Sequence, residues 1–256
     1  MLVLRGVSKS FGGIHAVKDV DLVINHGESR ALIGPNGAGK TTLFNLITGE
    51  IRSDRGEISL FGANITHEPV QKRIQLNLGR TYQMSNLFQE LTVKENLFLA
   101  TWKRGDVSWS LLATLFRSWN EFKAPCHYAF EIARQVGLEG RFNTKVNELS
   151  HGEHRQLELG IILAHSPKIL LLDEPMAGLS ATERSFMTRQ IMGLKSEMTI
   201  VIIEHDIDVA FSIADQVSVL HQGSIIAEGS PEETRANPQV QQIYTLSRNS
   251  KDKQYD

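Results

Sequence analysis

The sequence has few of the features that mark exported, disulfide-bonded or membrane-spanning proteins. It contains one cysteine, Cys126, among 256 residues, which excludes an intramolecular disulfide and a cysteine-rich zinc site. Its apolar runs, such as 111–116 and 169–172, are far shorter than the roughly 20 residues that a membrane-spanning helix needs. The amino terminus reaches Arg5 and Gly6 before an apolar segment could form, so we expect no secretory signal.

An excess of charge of either sign is also missing. The chain has 27 Lys+Arg and 29 Asp+Glu, a formal net charge of −2 with neutral histidines. With 22% charged and 41% hydrophobic residues, the composition is that of a globular protein rather than of a disordered polyelectrolyte or a strongly basic nucleic-acid binder. We therefore expect no nucleic acid among its partners.

The order of predicted elements favours an α/β fold. Apolar and polar residues alternate between Leu2 and Ile33, which predicts strands separated by glycine turns. Short apolar runs at 169–172 and 200–203, with helical patterns between them, predict buried parallel strands. Hydroxyl-x-x-glutamate patterns predict helix starts at Thr92, Ser180 and Ser230. We expect one domain over 1–247, with a helical lobe at about 84–160 inserted in its core and a polar tail over 248–256.

The segment 34–41 predicts a phosphate site. It reads GPNGAGKT and matches G-x-x-x-x-G-K-[ST] between a predicted strand and a helix predicted over 40–48, ending at Gly49. Glycines let the chain curl so that backbone N–H groups converge on phosphate, and the helix N-terminus adds a favourable dipole. Lys40 would reach the outer phosphates, and Thr41, or its neighbour Thr42, would offer a hydroxyl to Mg²⁺. The predicted phosphate-binding residues are Gly34, Asn36, Gly37, Ala38, Gly39, Lys40, Thr41 and Thr42. A glycine-rich turn with a solvated lysine is the alternative.

Two carboxylates follow the apolar run at 169–172. In P-loop ATPases an aspartate orients the magnesium shell, and hydrolysis also needs a group that positions water for in-line attack. Asp173 and Glu174 fit these two tasks, and adjacent residues on a strand point to opposite faces, so they cannot duplicate one role. The alternative is a polar strand end before the turn at Pro175.

The order of the motifs resembles that of the ABC ATPase family. Leu149-Ser150-His151-Gly152-Glu153 is similar to the family's L-S-G-G-Q signature and precedes the carboxylate strand. Gln83, in GRTYQ at 79–83, stands where the family has its glutamine loop, and His205 follows the run 200–203. The resemblance covers residues 2 to about 230. It implies a P-loop NTPase core of the ABC type, with an N-terminal antiparallel β subdomain and a helical lobe that carries the signature motif.

This resemblance implies ATP and Mg²⁺ as cofactors and an ATP-sandwich dimer, in which the P-loop of one cassette and the L-S-x-G segment of another enclose one nucleotide. Ser150 and Gly152 would open a helix and face the γ-phosphate. Phe11 would stack on adenine, with an ordinary core aromatic as the alternative. Gln83 would contact Mg²⁺ or the attacking water, and His205 would sense the γ-phosphate.

Three residues depart from the family pattern. His151 replaces the usual glycine, which would strain any backbone that needs a positive φ there; it would contact phosphate or only pack. Glu153 replaces glutamine and either lines the nucleotide site or forms a capping box with Ser150. Ser180 ends the A-G-L-S segment where aspartate or asparagine is common, and it equally fits a helix N-cap.

Further segments resemble the ATPase subunits of bacterial importers for branched-chain amino acids, with urea-importer ATPases as close relatives: FGGIHAV at 11–17, GRTYQ, LSHGE and the ending 228–244. The resemblance implies uptake of branched-chain amino acids or a related small polar solute. It also implies a second ABC ATPase subunit, either a distinct related chain or a second copy, two transmembrane permease subunits and, indirectly, a periplasmic solute-binding protein. The protein would lie peripherally at the cytoplasmic face of the bacterial inner membrane.

The lobe after Gln83 carries Trp102, Trp109 and Trp119, which we predict to contact a membrane subunit, although a local apolar cluster explains the same residues. Two other functions stay open for the chain: the ATPase of an exporter, and a soluble ABC ATPase that acts on DNA or ribosomes.

Overall fold

A computed structural model describes residues 1–81, 87–101 and 123–244 of the chain. These residues form two compact units. The core unit consists of the described residues within Met1–Arg80, Lys168–Glu174 and Ile191–Asp256, and the helical unit of those within Thr81–Pro167 and Pro175–Gln190. The single domain predicted over 1–247, its inserted lobe and its tail stay predictions.

The core unit contains two β-sheets. The first is antiparallel, with strand order β2-β1-β4-β5, and its strands are β1 (Leu2–Phe11), β2 (Ile14–Ile24), β4 (Arg55–Leu60) and β5 (Ala63–Asn64). The second has the order β10-β9-β3-β8-β7-β6, with β3 (Ser29–Ile33), β6 (Leu78–Arg80), β7 (Ile169–Asp173), β8 (Thr199–Ile203), β9 (Gln216–His221) and β10 (Ser224–Gly229). All its neighbours pair in parallel except β10, which is antiparallel to β9.

The helices divide between the units. The core unit contains α1 (Lys40–Thr48), α2 (Val70–Gln75), α7 (Ile207–Ile213) and α8 (Pro231–Ala236), and the helical unit contains α3 (Val93–Thr101), α4 (Lys123–Gln135) and α5 (His151–Leu163). Helix α6 (Ala181–Leu194) has residues in both. Within the described residues, none of these helices combines the length and the apolar character that crossing a bilayer requires.

The strands at the centre of the second sheet form the apolar core. Every residue of β3, β7 and β8 is buried, as expected for parallel strands that are covered on both faces. Leu32, Leu171 and Val201 from these three strands join one apolar cluster with residues of β1, β2 and α1. The strands predicted from the runs at 169–172 and 200–203 are confirmed, and each is one residue longer than its run.

Local signals located several helix ends correctly. Helix α1 covers the predicted range 40–48, and Gly49 follows it in the left-handed conformation with φ 83°. The capping boxes predicted at Thr92, Ser180 and Ser230 are confirmed. In each box the hydroxyl accepts from the glutamate N–H three residues later, and the carboxylate accepts from the N-cap N–H, so both donors are satisfied within one turn.

A buried arginine holds the C-terminal end of α1. Arg73 on α2 is 1% exposed and donates to the carbonyl oxygens of Leu46 and Ile47 at 2.7 Å, Glu68 at 2.9 Å and Thr66 at 3.1 Å. Carbonyl groups in the last turn of a helix have no partner within that helix. The guanidinium therefore replaces the missing donors at the end of α1.

We expect the variant Arg73→Met to lower the free energy of unfolding by about 3 kcal/mol, because three buried carbonyl oxygens and one partly buried carbonyl oxygen lose their donor. Urea unfolding followed by circular dichroism measures this loss. Arg134→Met is the control, since it removes a guanidinium from a side chain that is 66% exposed and pairs only at the surface with Glu131; we expect a change below about 0.5 kcal/mol there. Equal losses in both variants would contradict the role of Arg73.

Candidate functional site

The P-loop between β3 and α1 packs closely against two neighbouring strands. A Cβ atom at Gly34 would collide with the carbonyl oxygen of Leu220 on β9, and one at Gly39 would collide with that of Ala16 on β2. The φ angles of these glycines are 152° and 103°, which L side chains rarely adopt. The packing of the loop therefore requires glycine at both positions, independently of any bound ligand.

The middle of the loop is more open. Asn36 and Gly37 are exposed, and a Cβ atom at Gly37 would meet no atom within 4 Å, so this glycine is needed only for its φ of 76°. Ala38 is buried, and its carbonyl oxygen accepts from the N–H of Gly223 at 2.9 Å. The loop is thus fixed at its base and exposed at its tip.

The N-terminus of α1 suits an anion. Gly39 is the N-cap, no side chain caps the helix, and its first turn has no acidic residue. The first N–H groups of a helix lack acceptors within the helix, and the helix dipole adds partial positive charge there. Thr41 is exposed and Thr42 is half-buried in this first turn. Phosphate oxygens would satisfy these donors.

Lys40 is held beside the loop. Its side-chain nitrogen donates to the carbonyl oxygens of Gly34 at 2.8 Å and Pro35 at 3.0 Å. Burial lowers the pKa of Lys40, and the negative charges of Glu174 and Asp173 oppose that shift. The structure therefore brings the predicted phosphate lysine into electrostatic contact with both predicted carboxylates.

The two carboxylates have different partners. Asp173, at the end of β7, accepts from Nη2 of Arg80 through Oδ2 at 2.9 Å. Burial raises the pKa of Asp173, while the hydrogen bond and the charge of Arg80 oppose the shift. Glu174 adopts a left-handed backbone with φ 51°, and its Oε1 lies 2.7 Å from Nε2 of His205. Glu174 follows the last residue of β7, so the strand alternation expected to separate the two side chains does not extend to it. Their different roles stay a prediction.

One predicted residue of the core unit remains, Phe11. Phe11 ends β1, pairs with Ile14 across the turn to β2, and is 49% exposed, so it is not a core aromatic. The ammonium of Lys9 lies 5.5 Å from the centroid of the Phe11 ring. Gln83 lies outside the described residues, as do Trp102, Trp109 and Trp119.

The signature segment of the helical unit forms a complete capping box. Ser150 is the N-cap of α5; its Oγ accepts from the N–H of Glu153 at 3.2 Å, and Oε2 of Glu153 accepts from the N–H of Ser150 at 2.8 Å. Arg141 donates to Oε1 of Glu153 at 2.8 Å. Of the two readings of Glu153, the capping one is thus present in the structure.

Gly152 contacts the first turn of α6, and His151 contacts the segment that precedes this helix. A Cβ atom at Gly152 would collide with the carboxylate of Glu183, so a larger residue there would have to displace that side chain. His151 begins α5 with no positive φ, and the strain expected from its replacement of glycine is not found. Its Nε2 lies 3.5 Å from the carbonyl oxygen of Ala177. Ser180 is a helix N-cap.

Sequence reasoning missed the contact of Arg80 with Asp173. The only local signal was an arginine at the end of a short strand whose other residues are apolar or glycine. The predicted residues otherwise divide between the units: the P-loop, Asp173, Glu174 and His205 belong to the core unit, and the segment 150–153 belongs to the helical unit.

The fold and the site together define a P-loop nucleotide-binding protein. The sheet is mostly parallel, the GPNGAGKT loop precedes α1, and β7, which ends in Asp173, lies beside β8. Residues 17–177, more than half of the chain, match the family described as ABC transporter. The chain therefore belongs to the ABC transporter family, as an ATP-binding cassette with ATPase activity.

Curated relatives are similar along almost the whole chain. The chain is 36% identical over 249 residues to the high-affinity branched-chain amino acid transport ATP-binding protein BraF of Pseudomonas aeruginosa. It is 37% identical over 249 residues to LivG of Salmonella typhimurium, which has the same description. Each alignment covers 95% of this chain and 97% of the relative.

Solved structures share the fold. The ADP conformation of MJ1267, an ATP-binding cassette of an ABC transporter, matches with a TM-score of 0.83 and 30% identity, over 96% of this chain and 98% of that one. The post-hydrolysis dimer of the cassette MJ0796, bound to ADP and Pi, matches with a TM-score of 0.75 and 27% identity, over 90% and 99%. The predicted ABC-type core with its antiparallel β subdomain is confirmed.

The capping box of α5 predicts a pH dependence. Burial tends to raise the pKa of Glu153, but hydrogen bonds from Ser150 and the charged Arg141 lower it below its ordinary value of 4.5. A carboxyl group with a lower pKa in the folded state stabilises the fold above the unfolded-state pKa, and that stabilisation is lost as the pH falls through the folded-state pKa. We therefore expect the stability advantage of the wild type over Glu153→Gln to shrink between about pH 6 and about pH 3.

Thermal unfolding across this pH range measures the difference between the two proteins. Glu90→Gln is the control for the chemical change, because Glu90 is 79% exposed and belongs to no capping box. A difference between wild type and Glu153→Gln that stays constant or grows as the pH falls would contradict the expectation.

Proposed function

We propose that this chain is the ATP-binding and ATP-hydrolysing subunit of an importer, which powers uptake of branched-chain amino acids or a related small polar solute through ATP-sandwich dimerisation. The main support is the identity of 36% and 37% to BraF and LivG across 95% of the chain, since both are described as ATP-binding proteins of high-affinity branched-chain amino acid transport. We further propose that residues 1–247 act as one ABC ATPase domain.

The core unit has the groups that a nucleoside triphosphate with Mg²⁺ requires. The uncapped N-terminus of α1 and the ammonium of Lys40 would bind phosphate oxygens. Thr41 and Asp173 offer oxygen donors of the kind that Mg²⁺ prefers, and Phe11 presents an exposed ring for adenine. Gln83, outside the described residues, is proposed as a further donor. When bound, Mg²⁺ neutralises charge on the phosphate oxygens during transfer. The donor set therefore fits both ATP and the metal.

Hydrolysis needs an oriented water, and Glu174 is assigned that task. Its carboxylate would accept a proton from the water and hold it in line with the γ-phosphate. Nε2 of His205 lies 2.7 Å from Oε1 of Glu174, so His205 would hold this carboxylate in one orientation. His205 is also assigned to the γ-phosphate as a hydrogen-bond donor. Gln83 is assigned to the same water or to Mg²⁺.

The companion cassette would supply the second wall of the site. Ser150, Gly152 and Glu153 at the start of α5 are assigned to the γ-phosphate of the nucleotide that the other subunit binds. Arg141 forms an ion pair with the carboxylate of Glu153. Its positive charge offsets the negative charge that Glu153 adds beside the γ-phosphate. ATP would then favour the closed dimer by binding it more tightly than the open one, and hydrolysis would remove that preference.

The proposed assembly contains a second ABC ATPase subunit, either a related distinct chain or a second copy, and two transmembrane permease subunits. A periplasmic solute-binding protein would deliver the solute to the permease. The chain would act peripherally at the cytoplasmic face of a bacterial inner membrane. The amino acid transport systems to which BraF and LivG belong support this arrangement.

We expect Glu174→Gln to bind ATP normally, to lose nearly all turnover and to accumulate as an ATP-bound dimer, because the amide cannot accept the proton of water. ATP binding is measured by nucleotide titration, turnover by phosphate release, and the dimer by light scattering during size exclusion. Glu90→Gln makes the same chemical change at an exposed side chain and is expected to behave as the wild type. Ordinary turnover by Glu174→Gln would remove the assignment of Glu174.

The transport function is tested with proteoliposomes that contain the chain, the proposed companion ATPase and the two proposed permease subunits. We expect ATP and the binding protein to drive uptake of labelled leucine, isoleucine or valine, with urea as the comparison solute, and Glu174→Gln to abolish it. Outward movement would favour the exporter alternative. ATPase activity that DNA or ribosomes stimulate, without any transport, would favour the soluble alternative.

A further inference from the structure

Arg80 is a buried cation at the edge of the nucleotide site. It is the last residue of β6 and pairs with Leu171 of β7, two residues before Asp173. The side chains of Arg80 and Asp173 are only 7% and 1% exposed. An ion pair as buried as this one is costly to form, because both charges leave water, and it contributes little net stability. Its presence therefore suggests a role besides stabilising the fold.

The guanidinium connects two elements. Nη2 donates to Oδ2 of Asp173 at 2.9 Å, while Nη1 donates to Oδ1 of Asn45 at 2.6 Å and Oγ1 of Thr48 at 3.2 Å, both on α1. Nη1 also reaches Oε1 of Glu50 at 3.0 Å, just beyond the end of α1. One planar group thus joins the end of β7 to α1.

The two connected elements carry the two described residues that the proposed function assigns to Mg²⁺. Thr41 lies in the first turn of α1, and Asp173 ends β7. A metal ion binds well only when its oxygen donors keep a fixed separation. Arginine can set such a separation, because its nitrogens donate in fixed directions from one rigid plane, whereas the single ammonium of lysine cannot bridge two sites in this way.

We propose that Arg80 is a positioning residue for the metal: it fixes the carboxylate of Asp173 relative to α1 and so raises the affinity of the nucleotide site for Mg²⁺. This inference rests on the proposed function, because it takes Mg²⁺ with ATP as the ligand. Removing a partner that orients a metal-binding side chain typically lowers metal affinity about 10-fold to 100-fold.

Removing Arg80 could instead raise the affinity for Mg²⁺. The direction in which the affinity changes therefore distinguishes the possible roles of Arg80. A cation repels Mg²⁺, so if Arg80 only reduced the negative charge of the site, its removal would tighten Mg²⁺ binding. If Arg80 only stabilised the fold, its removal would lower the unfolding temperature without changing Mg²⁺ binding. Only positioning predicts weaker Mg²⁺ binding together with unchanged binding of metal-free nucleotide.

The experiment compares Arg80→Met and Arg80→Lys with Arg30→Lys in the full chain. Arg30 is a matched control, because its side chain is also 7% exposed and pairs with Glu28 at 2.6 Å and Glu228 at 2.8 Å, and none of these residues is assigned to the nucleotide. A fluorescent ATP analogue is titrated first in EDTA and then, at fixed concentration, with Mg²⁺. Thermal unfolding of the nucleotide-free proteins reports folding.

We expect both Arg80 variants to bind the metal-free analogue as the wild type does, and the Mg²⁺ concentration for half-saturation to rise about tenfold in Arg80→Met and less in Arg80→Lys. Arg30→Lys is expected to lower only the unfolding temperature. If Arg80→Met does not fold, Arg80→Lys alone carries the comparison. Tighter or unchanged Mg²⁺ binding in the Arg80 variants overturns the positioning role, whereas a wild type that responds to no Mg²⁺ overturns the proposed function itself.

Discussion

The close packing of the P-loop backbone between β2 and β9 is the constraint on which the nucleotide site depends. The carbonyl oxygens of Ala16 and Leu220 leave room only for glycine at Gly39 and Gly34. This packing fixes the point where α1 begins and keeps side chains away from its first N–H groups. Lys40 can then fold back onto the carbonyl oxygens of the loop, so that a cation and a helix terminus face the same volume. The glycine pattern is therefore a packing requirement first and a binding surface as a result.

Features that depend on neighbours along the chain were predictable from the sequence. Helix α1 and the capping boxes at Thr92, Ser180 and Ser230 follow from hydrogen bonds within one helical turn, and the structure confirms them. The buried strands followed from their uninterrupted apolar runs. By contrast, the pairing of Arg80 with Asp173 joins residues 93 positions apart, and no local pattern indicates which distant carboxylate an arginine will meet.

Prediction was incomplete at two site residues for different reasons. The left-handed φ of Glu174 had no signal in the sequence, because glutamate rarely adopts it and only the surrounding contacts, such as its N–H to the carbonyl oxygen of Ile203, hold it there. At Gly152 the glycine itself was recognised, but its reason was incomplete: the carboxylate of Glu183 occupies the space of a side chain. A motif glycine can thus serve the internal packing of its own unit as well as a ligand.

Arg73 and Arg80, two of the buried arginines of the core unit, place different constraints on how homologous sequences can vary. The hydrogen bonds described for Arg73 all go to main-chain carbonyl oxygens. Every amino acid provides such an oxygen, so substitutions at these partner positions keep the hydrogen bonds. Arg80 instead depends on the side chains of Asn45, Glu50 and Asp173. Among homologous cassettes, Arg73 should persist amid variable neighbours, whereas Arg80 and its side-chain partners should change together or not at all.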